Sequence, residues 1–480
     1  MRYLFIILLL PLFGISQTFE KIISESYFQC PQDLIETTAG YLLLSSAGIS
    51  DDEDYSSKLY IIDRQGDIIK SKLFDNYYYD RITNVLMLDD TTFLLAGYFK
   101  ENQEDSINLI FRLINNNLNI LSEKIVKTTV YKTEATNFLA MQSDFIKFDD
   151  EIVYAYGYHS VEDKSMRGLY LVKMSRFIDN IKVKHFQQLS LPGYSLPECL
   201  LPNQSKDSLF VFFPYKAYKL DKDLNLSDSL LYDFFLFPVD NSTYGIYRPF
   251  QAYWVDDKLI AGGNYNIFRY NKDLSKDTLL HFEFTGHNIN AAYYKCMSIN
   301  QDYLYMSFSF DLGYGFWHGV ENKLRILKTD KDFNVCFDKI YNENDGFYYA
   351  SFNTLATKDG GCIIATTRNN INTQGEKVDI YLLKVDSLGN YDTTDAIITN
   401  KINEIQVFPN PGDNYFRIEL SIDLLGSELI LYNISGMVVN RKQITSLKEK
   451  CNTTNLNSGL YIYEIRKQGK VLDRGKWIKK

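Results

Sequence analysis

Four charged residues fall on segments predicted to form the innermost strands of a repeated β unit, namely Asp144, Glu198, Arg248 and Lys295. Carboxylates on such strands would meet in a central channel, where a pair of them could serve as acid and nucleophile in glycoside cleavage. Solvated charges at an ordinary channel mouth would give the same pattern. We therefore name no catalytic residue, and a secreted glycan-active hydrolase with channel carboxylates is the alternative function.

Aromatic side chains recur in the loops predicted between and within the units. The six candidate ligand-binding residues are Tyr78, Tyr194, Tyr247, Tyr294, Trp317 and Tyr348. Such side chains combine an apolar ring with a polar tip, which suits stacking on sugars or peptides. In a chain with 37 tyrosines and 32 phenylalanines they could equally pack one unit against the next. The aromatic loops favour a binding module for glycans or peptides, with packing as the competing interpretation.

Residue patterns for covalent or metal chemistry are missing from the sequence. No GxSxG, HExxH, Walker loop or GxGxxG motif occurs in a supporting context. The six cysteines are scattered without a CxxC pair, and the five histidines lie far from any cysteine pair. We expect no metal and no cofactor, and we expect most cysteines, such as Cys362 in an apolar run, to be small buried side chains.

Composition and charge indicate a globular, β-rich chain that avoids nucleic acid. Hydrophobic residues make up 45% and aromatic residues 15% of the sequence, which is enough for a large core. From Lys401 onward there are 13 basic and 8 acidic residues, a net charge of +5. The whole chain has a net charge of −9, so the residues before Lys401 carry −14. An acidic body repels phosphate backbones, which argues against a nucleic-acid partner.

A repeat of about 50 residues runs through the body of the chain. Each copy opens with an apolar strand, and these strands begin at Tyr41, Thr92, Glu151, Ser208, Lys258, Tyr303 and Gly361. A later strand of each copy ends in a turn former, at Asp63, Asn115, Ser175, Asp221, Asn271, Asp330 and Asp386. The short polar side chains at these ends can bond their own backbone and close a tight turn.

Seven copies of this length predict an all-β fold, a seven-bladed β-propeller over residues 17–394. The segment from Thr18 to Ile23 resembles the outer strand of the other units, so it is expected to complete the last blade and close the ring. Two stacked sheets, or a ring of six or eight blades, remain as alternatives because the fourth and fifth copies are degenerate.

The first 16 residues have the organisation of a signal peptide. Met1 and Arg2 form a cationic start, an apolar run reaches Phe13, and small residues follow up to Ser16. The apolar run is shorter than the roughly 20 residues that span a bilayer, and no later segment is long and apolar enough. We expect cleavage before Gln17, export to the periplasm and no transmembrane segment.

A set of ordered motifs follows a polar linker at residues 395–403. Two prolines surround a turn, glycine turns separate short apolar strands, and a basic segment comes at the end. The motif residues are Pro409, Asn410, Pro411, Gly436, Gly459, Tyr461 and Lys476. The short strands between the turns predict a small Ig-like β-sandwich over residues 404–480.

This order of motifs resembles the C-terminal sorting domain of the type IX secretion system of Bacteroidota. The resemblance implies that the type IX secretion machinery is a partner and that the protein is secreted or reaches the outer-membrane surface. In that family the domain is often removed as the protein is anchored or released. The resemblance covers only this part of the chain and says nothing about the activity of the body. For the body, a purely structural role at the cell surface is a third possibility after binding and hydrolysis.

Overall fold

The structure is a computed structural model that describes residues 17–25, 28–48, 56–102, 105–131, 139–160, 167–187, 199–213, 216–231, 251–262, 266–272, 275–281, 289–291, 295–300, 302–312, 322–342, 345–371, 378–391, 406–408, 410–419, 426–446, 448–467 and 470–480. Within these ranges every regular element is a β-strand, so none of them is a helix that could cross a membrane. The predicted signal peptide and linker lie outside the described residues.

Seven antiparallel sheets, here called blades 1 to 7 in chain order, make up the body. After β1 (Phe19–Ile23), blade 1 contains β2 (Phe28–Glu36), β3 (Gly40–Gly48), β4 (Ser56–Asp63) and β5 (Ile68–Phe74). Blade 2 contains β6 (Tyr79–Asp89), β7 (Thr92–Lys100), β8 (Ser106–Asn115) and β9 (Ile120–Tyr131). Blade 3 contains β10 (Leu139–Phe148), β11 (Glu151–Ser160), β12 (Arg167–Ser175) and β13 (Lys182–Gln187).

The remaining four blades repeat the plan. Blade 4 contains β14 (Cys199–Pro202), β15 (Leu209–Phe213), β16 (Lys216–Leu220) and β17 (Leu226–Leu231), and blade 5 contains β18 (Gln251–Val255), β19 (Lys258–Gly262), β20 (Asn266–Tyr270) and β21 (Lys276–His281). Blade 6 contains β22 (Ile289–Ala291), β23 (Met297–Ile299), β24 (Tyr303–Leu312), β25 (Lys323–Asp330) and β26 (Val335–Tyr341), where β22 and β23 both pair with β24. Blade 7 contains β27 (Phe347–Ala356), β28 (Cys362–Asn370) and β29 (Val378–Val385), together with β1.

The blades form a closed ring. Their innermost strands β2, β6, β10, β14, β18, β23 and β27 contact one another in succession, and β27 contacts β2 again. The strand β1 pairs antiparallel with β29, with Phe19 opposite Lys384 and Ile23 opposite Ile380. Closure of the last blade by this segment is therefore confirmed, and the seven described sheets fit the predicted seven-bladed propeller.

The turn former acts as its position predicts in five of the seven repeats. In blade 1 the Asp63 carboxylate accepts hydrogen bonds from the backbone N–H groups of Gln65 (2.9 Å) and Asp67 (2.8 Å). Asn115, Asp221, Asp330 and Asp386 make the same pair of bonds in their own blades. These side chains bond the turn internally, which is why a short polar residue recurs at this point of the repeat.

Lysines on the outer strands tie the turns of blades 1, 2, 4 and 7 to the preceding blade. Lys72 Nζ donates to the carbonyl of Leu118 at 2.8 Å, and Lys21 on β1 reaches Asp67 at 2.8 Å. Lys184 and Lys339 make equivalent bonds to Asn225 and Asn390. The same contact thus joins blade 7 to blade 1 across the closure.

Apolar clusters between neighbouring blades form the core. Leu94 and Ile260, on the apolar strands of blades 2 and 5, have no exposed surface. Five of the six cysteines are buried thiols, as expected, and Cys336 is exposed.

A small two-sheet sandwich follows the ring. Its strands are β30 (Gln406–Phe408), β31 (Tyr415–Glu419), β32 (Glu428–Asn433), β33 (Val438–Gln443), β34 (Lys448–Asn452), β35 (Gly459–Lys467) and β36 (Lys470–Lys479). One sheet has the order β30-β31-β34 and the other β33-β32-β35-β36. The fully buried Trp477 lies 4.9 Å from Phe416 of the opposite sheet, measured between ring centroids, so the predicted Ig-like sandwich has a core between two antiparallel sheets.

Candidate binding site

The structure describes two of the six predicted aromatic residues, Tyr78 and Tyr348. Tyr194, Tyr247, Tyr294 and Trp317 lie outside the described residues. Tyr78 is 44% exposed just before β6, whereas Tyr348 is 5% exposed on β27. Tyr348 packs in an apolar cluster with Cys30 and Phe352, because the inner strand turns this side chain towards the neighbouring blade. These two tyrosines therefore do not form one aromatic surface, and Tyr348 fits the packing interpretation.

A central channel of about 400 Å³ is lined by the innermost strands of all seven blades. Asp144 and Lys295, which the sequence places on innermost strands, both line it. Glu198 and Arg248 lie outside the described residues. The described lining also contains Asp33 and Arg81, so two acidic and two basic side chains face this space.

One position of the repeat supplies an Asp or Asn to the channel in four blades. Asp33, Asn84, Asp144 and Asn353 lie opposite Leu44, Ala96, Ala155 and Ala365, respectively, near the end of the apolar run on the second strand. In blades 1, 2 and 7 the pairing register shifts immediately before this residue. Such a bulge redirects the side chain that follows it, so the polar group is aimed by the backbone as well as by its own rotamer.

The other three blades have no Asp or Asn at the equivalent position. The equivalent residues are Cys199, opposite Phe212, Gln251, opposite Gly262, and Cys296, whose carbonyl accepts the N–H of Ser307. Blades 7, 1, 2 and 3 therefore form a polar side of the channel, and blades 4 to 6 contribute a mixed lining that includes Leu200, Gln251, Tyr253, Ser298 and Lys295.

Asp33 joins three blades at the polar side. Its Oδ2 lies 2.8 Å from Lys295 Nζ of blade 6 and accepts the N–H of Val85 in blade 2 at 2.8 Å. Its Oδ1 accepts the N–H of Leu34 at 3.0 Å. Both oxygens are thus engaged, and the carboxylate acts first as a bridge within the ring.

Asp144 has a different environment, although it occupies the same repeat position. Its Oδ2 accepts the N–H of Leu200 in blade 4 at 2.8 Å, and among the described residues no cation lies within ion-pair distance of it. Loss of surrounding water raises the pKa of Asp144, with the nearby charge of Asp33 acting in the same direction and Lys295 opposing it. The carboxyl is therefore poised to accept a hydrogen-bonding partner that replaces the missing water.

Amides and hydroxyls complete the polar side. Ser143 Oγ lies 2.7 Å from both Asn84 Oδ1 and Thr83 Oγ1, and its one hydroxyl hydrogen can be donated to either of them. Asn353 is 2% exposed, and its Nδ2 has no hydrogen-bond partner among the described residues. A buried amide donor without an acceptor costs free energy.

Sequence reasoning found Asp144 and Lys295 but missed Asp33, Asn84 and Asn353. The sequence does contain a signal for these residues. Each Asp or Asn lies 11 or 12 positions before the residue that it faces on the second strand, which is near the end of the apolar run. Copies 4 to 6 have no Asp or Asn at this position, which hides the period when all seven copies are compared. Among the described residues, no three His, Cys, Asp or Glu side chains are grouped closely enough to hold a metal ion.

The sorting-motif residues lie at the turns and along one edge of the sandwich. Gly436 (φ +79°) and Gly459 (φ +152°) have positive φ angles that glycine adopts readily. Tyr461 lies 5.8 Å from Trp477 between ring centroids, and the Asn410 side chain bonds the backbone at Lys476. Pro411 follows a cis peptide bond, and Pro409 lies outside the described residues.

Several solved structures match this chain at low similarity. The AfRom2 CNH domain is 8% identical with a TM-score of 0.41, over 76% of this chain and 98% of that one. The Neurospora crassa Pan2 WD40 domain is 10% identical with a TM-score of 0.41, over 76% and 96%. A protein of unknown function from Bacteroides caccae is 12% identical with a TM-score of 0.37, over 62% and 93%. No curated protein matches the chain.

A family match covers the sandwich and extends to the end of β36. Residues 406–480 match the family described as "Secretion system C-terminal sorting domain". The match includes Asn410, Pro411, Gly436, Gly459, Tyr461 and Lys476, the described residues that carry the motif order. A sorting domain of this kind implies an interaction with the type IX machinery and a secreted or cell-surface protein. Residues 406–480 are thus a type IX C-terminal sorting domain, attached to an all-β propeller body.

Proposed function

We propose that the body is a binding module that holds a neutral glycan in its central channel, carried out of the cell by the sorting domain. The observation that supports this function is the mixed polar and apolar lining of the channel. Polar side chains such as Asp144 and Asn353 share the lining with apolar ones such as Leu200 and Tyr253 around a space of about 400 Å³. This volume lies within the range of small-molecule sites, roughly 300–1,000 Å³.

The balance of charges favours a neutral ligand over an ionic one. Asp33 and Asp144 are matched in number by Arg81 and Lys295 in the described lining. An ion brought into this space would lose its water without a net opposite charge to replace it. Sugar hydroxyls both donate and accept, so they can satisfy the Asp144 carboxylate and the Asn353 amide together.

The aromatic residues of the lining suit the other face of a sugar ring. Tyr253 and Phe145 line the channel and are partly exposed to it. Aromatic faces of this kind pack against the C–H groups of a pyranose while polar groups bind its edge. Peptides remain the second class of ligand, since their backbone amides also combine donors with acceptors.

Tyr78 marks the approach to this site from the loop between blades 1 and 2. It precedes the channel residue Arg81 by three positions, which corresponds to about 10 Å along an extended strand. A glycan longer than the channel could therefore pass over this exposed ring. On this proposal the channel residues supply most of the binding affinity, and Tyr78 adds a smaller share.

A glycan-active hydrolase is the second candidate, and one observation favours it. Asp144 has a raised pKa, whereas Asp33 is held beside the Lys295 ammonium, and acid–base pairs need carboxyls in such different environments. The contacts of Asp33 weigh against this role, because both of its oxygens already bind backbone N–H groups. Binding is therefore the better-supported function.

The test is an array of neutral oligosaccharides, acidic oligosaccharides and peptides, probed with the purified full chain. The proposal expects retention on neutral oligosaccharides, loss of retention in Asn353→Leu and partial loss in Tyr78→Ala. Retention on peptides alone, or full retention by Asn353→Leu, would contradict the channel as a glycan site. Release of shorter sugars by the wild type, abolished in Asp144→Asn, would establish the hydrolase instead.

A further inference from the structure

In the sorting domain, Asn410 binds two backbone groups of β36 with its side chain. Its Nδ2 donates to the carbonyl of Lys476 at 2.8 Å, and the N–H of Ile478 donates to its Oδ1 at 2.9 Å. Two residues further on, the Gly412 N–H donates to the carbonyl of Ile478 at 2.9 Å, and the Lys480 N–H donates to the Gly412 carbonyl at 2.8 Å. Four consecutive polar groups on one edge of the strand are satisfied in this way.

This edge is the outer edge of the sheet, because β36 is the last strand in the order β33-β32-β35-β36. Residues two apart on a strand present their N–H and C=O to the same edge, and an open edge invites unwanted strand pairing. A carboxamide is suited to the task, since it offers one donor group and one acceptor in the plane of the sheet. The Asn410 side chain therefore replaces one peptide unit of a missing partner strand.

The same segment fixes which side chains of β36 face outward. Trp477 is fully buried, and the Lys479 ammonium turns inward to the carbonyl of Asp413 at 2.6 Å. The alternate residues Lys476, Ile478 and Lys480 are exposed, with Ile478 at 45%. On the neighbouring strand Leu460, directly opposite Ile478, is 39% exposed.

We infer that Asn410 is a positioning residue for export: it holds β36 so that Lys476, Ile478, Lys480 and Leu460 form the surface that the secretion machinery contacts. The partner surface is apolar at its centre and bordered by carboxylates. Charge supports this complementarity, because the chain from Lys401 onward has 13 basic and 8 acidic residues, a net +5, in an otherwise acidic protein. Ile478 and Leu460 also form an apolar pair between Lys476 and Lys480. Leaving this pair exposed to water is unfavourable, which favours a partner that covers it.

The first test replaces Asn410 in the full chain, produced in a host with type IX secretion. Asn410→Leu removes both side-chain bonds, and Asn455→Leu, at an exposed asparagine of the same domain, is the matched control. We expect the amide hydrogens of residues 476–480 to exchange about tenfold faster in Asn410→Leu, because two hydrogen bonds are lost. We expect its exported fraction to fall at least about tenfold, while the control matches the wild type.

The second test changes the surface without touching its support. Ile478→Ser and Lys476→Glu alter exposed side chains, so thermal unfolding of the sorting domain should stay unchanged while export is lost. If Asn410→Leu unfolds the domain, Asn410→Asp is tested instead, because its carboxylate can still accept the Ile478 N–H. Normal export by Asn410→Leu, or by both surface variants, would overturn the inference.

Discussion

Arg112 carries a full charge at a position with no exposed surface. Its guanidinium makes two 2.7 Å bonds to the buried Asp80 carboxylate, and its Nε makes a third to Glu123. The charged plane also lies over the ring of Phe74 in blade 1, 5.2 Å from the ring centroid. At the residue scale, buried charges in this protein are held by several fixed partners at once, which is the condition under which they can be tolerated.

Replacing Arg112 by methionine should be strongly destabilising. The change leaves Asp80 buried without its bidentate partner, and breaking such a pair typically costs about 3–5 kcal/mol of unfolding free energy. Urea unfolding at neutral pH measures the loss. Arg441→Met, which removes the exposed pair with Glu428, is the control and should change stability by no more than about 1 kcal/mol. Equal effects of the two changes would contradict the buried-network account.

Asp144 gives a prediction about pH. Its pKa is raised in the folded protein, so the folded state binds the proton more tightly than the unfolded chain does. The ionised group therefore costs stability at neutral pH, and this cost is absent below the ordinary pKa of 3.8.

Asp144→Asn should accordingly be more stable than the wild type at pH 7 and equal to it at pH 3. Asparagine already occupies the equivalent position in blades 2 and 7, and its carbonyl can still accept the Leu200 N–H. Unfolding of both proteins at the two pH values checks this. A variant that is less stable at pH 7 would mean that attraction to Lys295 outweighs the loss of water.

At the element scale, the strand β1 completes blade 7 from the opposite end of the body. It covers the edge of β29 and brings Phe19 against Tyr41 of blade 1, at 6.1 Å between ring centroids. Lys21 adds its bond to Asp67 across the same junction. One short strand therefore joins two blades that are far apart in sequence.

Phe19→Asp should open this closure. The new carboxylate would replace a ring that is 3% exposed, and we expect a loss of roughly 3 kcal/mol or more in unfolding free energy. Ile69→Asp, at a 59% exposed site on β5, is the matched control and should stay within about 0.5 kcal/mol of the wild type. A stable Phe19→Asp protein would mean that β1 is dispensable for the ring.

The elements of the fold could be predicted from the sequence because they depend on local patterns. Apolar runs ending in residues such as Asp63 or Asp386 indicated the strands and their turns, and Thr18–Ile23 indicated the closure. The binding site could be predicted only in part. Asp144 and Lys295 were found, but Asp33 and Asn353 were missed, because the recurring Asp or Asn is absent from copies 4 to 6 and because contacts such as that of Asp33 with Lys295 join different blades. Tyr348 resembled a surface aromatic in the sequence, although the inner strand turns it into the core.

At the scale of the whole molecule, the body and the sorting domain have separate cores and separate tasks. Residues such as Leu94 and Ile260 bury the interior of the ring, while Phe416 and Trp477 bury that of the sandwich. Export depends on the sandwich and, on our proposal, ligand binding depends on the ring.

A fragment of residues 17–394 should therefore fold as a soluble propeller. The same fragment preceded by residues 1–16, the predicted signal peptide, should no longer be exported by the type IX system. Circular dichroism and thermal unfolding test the first part, and fractionation of the producing cells tests the second. An insoluble fragment, or one that reaches the medium as the full chain does, would contradict the division into two units.

The central claim is that the ring binds a neutral glycan in its channel, and one titration tests it most directly. A neutral oligosaccharide retained on the array is titrated into the wild-type chain and into Asn353→Leu by calorimetry, with melting curves to show that both are folded. We predict saturable binding by the wild type and at least about tenfold weaker binding by the variant, since a buried hydrogen bond to the ligand is lost. Equal affinities of the two proteins would contradict the channel as the binding site.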